Sequence, residues 1–457
     1  MTTVRQIRYA TAERFAPSVI VETSEGDQRG LESGAICPQI PSALDRLLSL
    51  SDREMSEDCL FLDVHTPAID DARRPVIVWI HGGAFVTGAG SLPWYDGSNL
   101  AERGDVVVVT INYRLGAFGF TGTDDLGLSD QLTALEWVQR HIVSFGGDPE
   151  RVTIVGESAG GASVIALMAA QRSETLFAQA WAMSPSLPQI RSTRRARRAA
   201  AELIEAAGLS DDDHDRLRRL SSDELLAAQA ILLERRSSAL TAFAPTVPGA
   251  LISDLSDAHR DPRPLVIGTT RDEMQLFTAF DAAYASMAPD EARRRIGHRF
   301  AQPDDVLALY RHHRHGATLG QLVSAIQTDE MFRAPALELL SARCDLGTQS
   351  WSYWFTKSTP AFGGVLGACH GLDIPYLFDN LDQPGVEMFT GSDPDRSQLA
   401  TQMSSDLIEF ASTGTGSWPA YDTVSRPTRI YDDTTEDQSD PEPELRSLWE
   451  DTARRSP

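Results

Sequence analysis

Runs of apolar, often β-branched residues recur along the chain and predict strands separated by helical stretches. We expect strands at about residues 76–80, 106–112, 152–156, 264–268 and 350–355. Continuous apolar runs of this length are typical of strands that are covered on both faces. The alternation favours an α/β fold, with a central and mostly parallel sheet flanked by helices.

Two longer stretches depart from this alternation. Residues 191–236 are rich in Arg, Ala, Leu and acidic residues, with apolar positions at a spacing near 3.6, which predicts surface helices over the sheet. Residues 278–345 are interpreted as a second helical insertion. Both are expected to form helical caps on the α/β core.

The third predicted strand runs directly into a candidate catalytic serine. Residues 156–160 read Gly-Glu-Ser-Ala-Gly, and a helix of small and apolar residues follows. The Gly-x-Ser-x-Gly spacing is typical of a nucleophile elbow, because the flanking glycines leave room for a sharp turn between strand and helix. Ser158 is therefore the predicted nucleophile.

A glycine pair after the first predicted strand supplies candidate hydrogen-bond donors. His81, Gly82 and Gly83 follow the apolar run at 76–80, and adjacent glycines allow backbone N–H groups to approach a substrate oxygen. Alone, this sequence would indicate a tight turn. Together with the elbow it predicts an oxyanion hole formed by the N–H groups of Gly82, Gly83 and Ala159.

In these motifs the chain resembles the type-B carboxylesterases, which include bacterial p-nitrobenzyl-type esterases, mammalian carboxylesterases and cholinesterases. Further similar motifs occur in the family's order: Ser-Glu-Asp-Cys-Leu-Phe-Leu-Asp-Val at 56–64, Asn-Tyr-Arg-Leu-Gly at 112–116 and Phe-Gly-Gly-Asp-Pro at 145–149. The resemblance runs almost end to end. It implies the α/β-hydrolase fold, in which insertions such as 278–345 roof the active site.

The resemblance also implies the partners of Ser158. The family places its triad acid in Gly-Thr-x-x-Asp-Glu, matched here at 268–273, so that Glu273 is the implied acid and the neighbouring Asp272 is the alternative. The family's base lies in Gly-Ala-x-His-x-x-Asp, matched at 367–373, which implies His370. Because positions 158, 273 and 370 must converge, residues 1–457 are expected to form a single domain.

These roles predict a serine carboxylesterase that hydrolyses small-molecule esters through an acyl-serine intermediate. This mechanism needs no metal, nucleotide or organic cofactor. A lipase, a specialised ester or carbamate hydrolase, and a catalytically idle binding protein of the same fold are the alternatives. Candidate pocket residues are aromatic and lie in or near the motifs, although core packing is the favoured role for most of them: Phe85, Phe118, Phe277, Trp351, Trp354, Phe355 and Phe362.

Composition and charge limit the classes of partner that the protein is expected to bind. The chain has 65 acidic and 41 basic residues and a formal net charge of −24, which argues against nucleic-acid binding despite the arginine cluster at 191–198. No apolar run is long enough to span a membrane, and the first residues lack a signal-peptide core. We therefore expect no membrane partner, a cytoplasmic location, and a monomer or small homo-oligomer.

Cysteines and a histidine cluster are the remaining candidates for special chemistry. Cys37 and Cys59 lie where secreted relatives of the family form a disulfide, whereas a reducing cytosol favours thiols. His312, His313 and His315 are flanked by arginines and lack further ligands at a zinc spacing. We interpret them as a solvated helix end and not as a metal site.

Overall fold

A large twisted sheet organises the molecule. The computed structural model describes residues 1–22, 34–40, 53–210, 214–235 and 242–455. Within them ten strands form one sheet in the order β1-β4-β6-β5-β7-β8-β9-β10-β11-β12, and β2 and β3 form a separate pair. The strands are β1 Thr2–Arg8, β2 Ala10–Thr11, β3 Val19–Ile20, β4 Phe61–Thr66, β5 Arg74–Ile80, β6 Val107–Ile111, β7 Gly147–Glu157, β8 Gln179–Met183, β9 Leu265–Thr270, β10 Ser350–Phe355, β11 Pro427–Tyr431 and β12 Glu436–Ser439.

The middle of the sheet is parallel, and its margins are antiparallel. The strands from β6 to β11 pair in parallel, whereas β1 and β4 on one side and β12 on the other run antiparallel to their neighbours. All five strands expected from the sequence are present. Since parallel strands end at the same edge, the residues that follow β5, β7 and β9 come close together there.

The two faces of the sheet bury different hydrophobic clusters. On β5, Val76, Val78 and Ile80 face one cluster, and Ile77 and Trp79 face the other. Successive side chains of a strand point to opposite faces. A strand inside the sheet must therefore be apolar at nearly every position, which explains the continuous apolar runs in the sequence.

Helices cover both faces. The α-helices of the described residues are Ser98–Gly104, Gly116–Gly119, Leu126–His141, Ala159–Ala169, Thr193–Ala206, His214–Arg219, Ser222–Glu234, Asp257–Arg260, Gln275–Thr278, Ala282–Ala285, Pro289–Gly297, Pro303–His313, Leu319–Thr328, Ala334–Asp345, Ile374–Phe378, Val386–Thr390, Arg396–Thr413 and Pro443–Arg455. Short 3-10 helices occur at Pro93–Tyr95, Ile142–Phe145, Gln171–Ser173, Leu187–Gln189 and Ala361–Gly364, and Asp329–Arg333 is a π-helix.

Helices also occupy both predicted insertions. Those of 191–236 carry buried apolar positions such as Leu203 and Leu225, although residues 211–213 and 236 of this stretch lie outside the described part. The second insertion builds a third hydrophobic cluster, which includes Tyr310 and Ile326 together with Trp449 of the C-terminal helix. Nε1 of Trp449 donates a hydrogen bond of 2.8 Å to the Tyr310 hydroxyl. The end of the chain therefore stabilises this insertion.

The structure bears on three smaller expectations, which concern membrane-spanning helices, the cysteine pair and the histidine cluster. Within the described residues, no helix is both long and apolar enough to cross a membrane. Cys37 and Cys59 are buried free thiols. His313 ends a helix; its own side chain is only 16% exposed and lies 3.1 Å from Oε2 of Glu444, but His312 and His315 are exposed, so the helix end is solvated as expected except at His313. No metal-binding group of His, Cys, Asp or Glu was found in the ranges given above.

Candidate active site

Ser158 occupies a strained turn between β7 and the helix Ala159–Ala169. Its backbone has φ 59° and ψ −118°, a left-handed φ that is uncommon for a residue other than glycine. The flanking glycines permit this turn. A Cβ on Gly156 would lie 2.5 Å from the carbonyl carbon of Gly160, and a Cβ on Gly160 would overlap the carbonyl oxygen of Ile80.

The glycine loop that follows β5 packs directly on this turn. A Cβ on Gly82 would lie 2.7 Å from the carbonyl oxygen of Glu157 and 3.1 Å from Cβ of Ser158. Only glycine permits so close an approach. Gly83 has φ +108°, which also favours glycine. Gly82, a predicted oxyanion donor, therefore lies beside Ser158, and Gly83, the second predicted donor, follows it in the same loop.

His81 stabilises the loop rather than serving as a second base. Its ring stacks on Tyr113 with 4.4 Å between centroids, and Nδ1 lies 2.8 Å from the carbonyl oxygen of Gly82. The Tyr113 hydroxyl donates a hydrogen bond of 2.7 Å to the carbonyl oxygen of His81. Burial lowers the pKa of His81 to about 4, so this imidazole is neutral at pH 7 and rigidly held.

His370 and Glu273 form a buried pair, as the resemblance implies. Nδ1 of His370 lies 2.6 Å from Oε2 of Glu273. The main-chain N–H of His370 also donates a hydrogen bond of 3.3 Å to the main-chain carbonyl oxygen of Glu273. The other carboxylate oxygen of Glu273 accepts hydrogen bonds of 2.6 Å from the Ser184 hydroxyl and 2.7 Å from the Thr270 N–H. Because both oxygens are engaged, the carboxylate can hold the ring in one orientation.

Three buried carboxyl groups surround the imidazole. Oε1 of Glu157 lies 3.1 Å from Nε2 of His370 but has no hydrogen-bond donor among the described residues, so the contact is electrostatic. Burial would lower the pKa of His370, but Glu157 and Glu273 outweigh it and raise this pKa to about 9. Burial raises the pKa of Glu157 to about 8 and that of Asp373 to about 7.

Comparisons with known proteins agree with this geometry. A sequence profile of the carboxylesterase family matches residues 3–444. The para-nitrobenzyl esterase of Bacillus subtilis is 37% identical over 445 residues, which are 90% of this chain and 86% of that protein. Phenmedipham hydrolase of Pseudarthrobacter oxydans is 32% identical over 82% of this chain and 78% of its own length.

Solved structures give the same result. A carboxylesterase of Geobacillus stearothermophilus superimposes with a TM-score of 0.87 at 33% identity, and the match covers 98% of this chain and 96% of that one. A thermophilic para-nitrobenzyl esterase has a TM-score of 0.84 at 33% identity, over 98% and 95% of the two chains. The chain belongs to the carboxylesterase family. It has the α/β-hydrolase fold and is a carboxylic ester hydrolase.

The aromatic residues proposed for the substrate pocket of this carboxylesterase lie in different places. The Phe277 ring lies 5.5 Å from the His370 ring, and its side chain is 46% exposed. Phe362, which is also exposed, contacts the exposed Phe280 at 5.5 Å. Only Phe277 of the candidates has a ring contact with His370.

The other candidates are core residues. Their burial is nearly complete, and they pack on buried partners or on the hydrophobic clusters of the sheet: Phe85, Phe118, Trp351, Trp354 and Phe355. For Trp351, Nε1 donates to the Trp418 carbonyl at 3.0 Å, so that its polar group is also satisfied away from the serine. The core explanation therefore fits these positions.

Three residues beside Glu273 and His370 were not expected from the sequence. Phe332 lies on the π-helix, 4.8 Å from the His370 ring. Ser184, which supports Glu273, follows β8 in a short loop. Glu157 was the variable position of the elbow motif, and a carboxyl group immediately before a nucleophile was the one signal that could have identified it.

Proposed function

We propose that Ser158 is the nucleophile, His370 the general base and Glu273 the triad acid of this carboxylesterase. One observation carries the proposal: the 2.6 Å contact of Glu273 with His370 occurs in the same site where Gly82 packs on Ser158. In this proposal the oxyanion donors, the nucleophile and the acid come from the turns that follow β5, β7 and β9, and the base comes from the longer loop after β10.

The acylation step follows from these positions. The Ser158 oxygen attacks the ester carbonyl carbon while Nε2 of His370 accepts the hydroxyl proton, and the carbonyl π electrons move onto oxygen. The N–H groups of Gly82, Gly83 and Ala159 stabilise this oxyanion. No turn or loop hydrogen bond uses the N–H of Gly82 or Gly83 in the part of the chain that is described. These two donors are therefore available.

Collapse of the oxyanion completes the acylation. The carbonyl forms again, the bond to the alcohol oxygen breaks, and protonated His370 gives its proton to the leaving alkoxide. A water molecule that loses a proton to His370 then attacks the acyl-serine. The second collapse releases the carboxylic acid and returns the proton to the Ser158 oxygen.

Glu157 affects how readily His370 accepts a proton. The ionised Glu157 carboxylate stabilises the imidazolium of His370, whereas burial, which raises the pKa of Glu157, favours the protonated form, and that form lacks this effect. The base is then available for the Ser158 proton. Glu273 remains to stabilise the imidazolium that forms during attack.

The proposed substrates are uncharged esters of small molecules that carry an apolar or aromatic group. The exposed Phe277 beside the base offers an apolar contact for such a group. A net charge of −24 disfavours anionic substrates. The relative named para-nitrobenzyl esterase supports an aromatic group. We further propose that residues 1–457 act as one catalytic domain, because β1 and the C-terminal helix both pack into the same unit.

Hydrolysis of p-nitrophenyl esters from acetate to palmitate tests the proposal. Ser158→Ala is expected to lose turnover by several orders of magnitude, roughly 10⁴-fold or more. Ser163→Ala is the matched control, because this buried serine of the same helix only accepts a hydrogen bond of 3.1 Å from Gln131. Turnover that survives Ser158→Ala would overturn the assignment.

The chain-length series also separates the alternatives. A lipase would prefer long acyl chains presented as aggregates, whereas a carboxylesterase prefers short and dispersed esters. An idle binding protein would turn over none of them. The close contact of the acid and base argues against the idle alternative.

A further inference from the structure

Two loops without regular structure carry the acid and the base. Glu273 follows β9 in a tight turn, and His370 lies between the 3-10 helix Ala361–Gly364 and the helix Ile374–Phe378. Their side chains lie 2.6 Å apart, and to keep this distance, interactions must fix one loop relative to the other. The contacts of Asp272 provide these interactions.

Asp272 joins the two loops through main chain and side chain together. Its N–H donates to the Ala368 carbonyl at 2.9 Å, and its Oδ2 accepts from the Ala368 N–H at 2.9 Å. The same oxygen accepts from Nε of Arg271 at 3.1 Å. One residue thus satisfies both main-chain groups of Ala368, two positions before His370.

The fit between the loops leaves little freedom. A Cβ on Gly367 would lie 2.5 Å from Oδ2 of Asp272, and Gly367 has φ +60°, so glycine is required for two reasons. Arg271 is itself anchored, because its N–H donates to the Phe355 carbonyl of β10 at 2.9 Å and its Nη2 donates to the Ser358 hydroxyl at 2.7 Å. Arg271, which is fixed to the sheet, therefore holds the Asp272 carboxylate in place.

We propose that Asp272 is a positioning residue, whose side-chain oxygen sets the distance between the Glu273 carboxylate and the His370 imidazole. It acts as a hydrogen-bond acceptor for the base loop and does not contact the imidazole. The inference rests on the proposed function of Glu273 and His370. It makes a specific prediction: an acceptor oxygen at position 272 is needed, and a negative charge is not.

Steady-state kinetics with p-nitrophenyl acetate tests this. Asp272→Ala is expected to lower kcat by about 10²-fold, the scale of a 1 Å misplacement of catalytic groups, with much less effect on KM. Asp272→Asn is expected to recover most of kcat, because its amide oxygen can accept the same hydrogen bonds. A purely structural role would lower the amount of folded enzyme and leave kcat per active site unchanged.

The matched control is Asp261→Asn. Asp261 precedes the opposite end of β9, and its Oδ1 likewise accepts from a main-chain N–H, that of Arg263, at 2.8 Å, and from the Arg263 side chain at 2.9 Å. This variant is expected to keep kcat. Should Asp272→Ala fail to fold by circular dichroism, Gly367→Ala answers the same question, since it pushes the loops apart while Asp272 stays.

The outcomes are distinct. A kcat that stays at the parent level in Asp272→Ala overturns the inference, as does an Asp272→Asn variant as inactive as Asp272→Ala. Glu273→Gln is assayed beside them: if it retains full activity, the proposed triad acid is wrong, whatever Asp272 does. Loss in Asp272→Ala with recovery in Asp272→Asn supports the positioning role.

Discussion

Nε2 of His370 lies 3.1 Å from Oε1 of Glu157, the residue immediately before Ser158. The base is therefore in contact with a carboxyl group on each of its two ring nitrogens. Glu273 is held by hydrogen bonds to Ser184 and Thr270, whereas Oε1 of Glu157 has no hydrogen-bond donor in the described ranges. The two carboxyl groups should thus affect catalysis differently.

We expect Glu157→Gln to move the acidic limb of the kcat/KM profile to lower pH. The limb reports the pKa of the base in the free enzyme, and the Glu157 carboxylate helps to raise that pKa to about 9 against the lowering effect of burial. An uncharged glutamine removes this contribution, so that His370 loses its proton at lower pH. Initial rates at low substrate concentration across pH 5 to 10 measure the shift.

The control for this experiment is Glu136→Gln. Glu136 is paired with Arg172 at 2.8 Å and is not among the groups that shift the pKa of His370. Its profile should match that of the parent. An acidic limb that stays in place or rises in Glu157→Gln would contradict the role given to Glu157.

Ser184→Ala should lower kcat by about tenfold and leave KM nearly unchanged. The Ser184 hydroxyl donates a hydrogen bond of 2.6 Å to Oε1 of Glu273. A hydrogen bond to a charged group contributes about 1.5–3 kcal/mol to stability. Without it the carboxylate is held less firmly against His370. Ser186→Ala is the control, since this equally buried hydroxyl bonds to Gln189 at 3.0 Å. A kcat for Ser184→Ala equal to that of the control would refute the prediction.

The strands that could be predicted lie inside the sheet and carry long apolar runs. The equally buried β4, β8 and β11 were not predicted, because polar residues such as Asp63, Gln179 and Thr428 interrupt them. β5, β6 and β7 are continuous apolar runs because the sheet is covered on both sides. β12 was missed for the opposite reason: all four of its residues are exposed, so no hydrophobic pattern marks it. β1 was missed because most of its residues are only partly buried.

For the candidate site, too, only residues marked by a local sequence pattern or a family motif can be predicted. The sequence predicts Ser158, Gly82 and Gly83 because local turns constrain their sequence, and it predicts Glu273 and His370 because the family motifs mark them. Ser184 and Phe332 have no local signal. They reach Glu273 and His370 only through the order of strands in the sheet and the path of the π-helix, which a linear pattern does not encode.

Phe277→Ala should raise KM for aryl and longer acyl esters by about five- to tenfold, with little loss of stability. The Phe277 ring contacts the His370 ring but is 46% exposed, so truncation removes apolar contact with the substrate and leaves no core cavity. The control is Phe280→Ala, which truncates an exposed ring that contacts Phe362 instead. Equal KM values for p-nitrophenyl butyrate in Phe277→Ala and the parent would contradict a role in binding.

Asp125→Asn should make the protein more stable at pH 8 than the parent, with little difference at pH 4. Burial raises the pKa of Asp125 from 3.8 to about 7, and Oδ1 has no hydrogen-bond donor among the described residues. A carboxyl group whose pKa is raised on folding contributes stability that is fully present below its unfolded pKa and is lost as pH rises to the folded pKa. The loss is about 1.4 kcal/mol per pH unit between these values.

Asparagine is a suitable replacement for Asp125. It keeps an acceptor for the Thr246 N–H, which donates to Oδ2 at 3.0 Å, and it tolerates the left-handed φ of 48° at this position. Urea unfolding of both proteins at pH 4, 6 and 8 measures the difference, and a free-energy gap that does not widen with pH would show that Asp125 is ionised without cost in the folded protein.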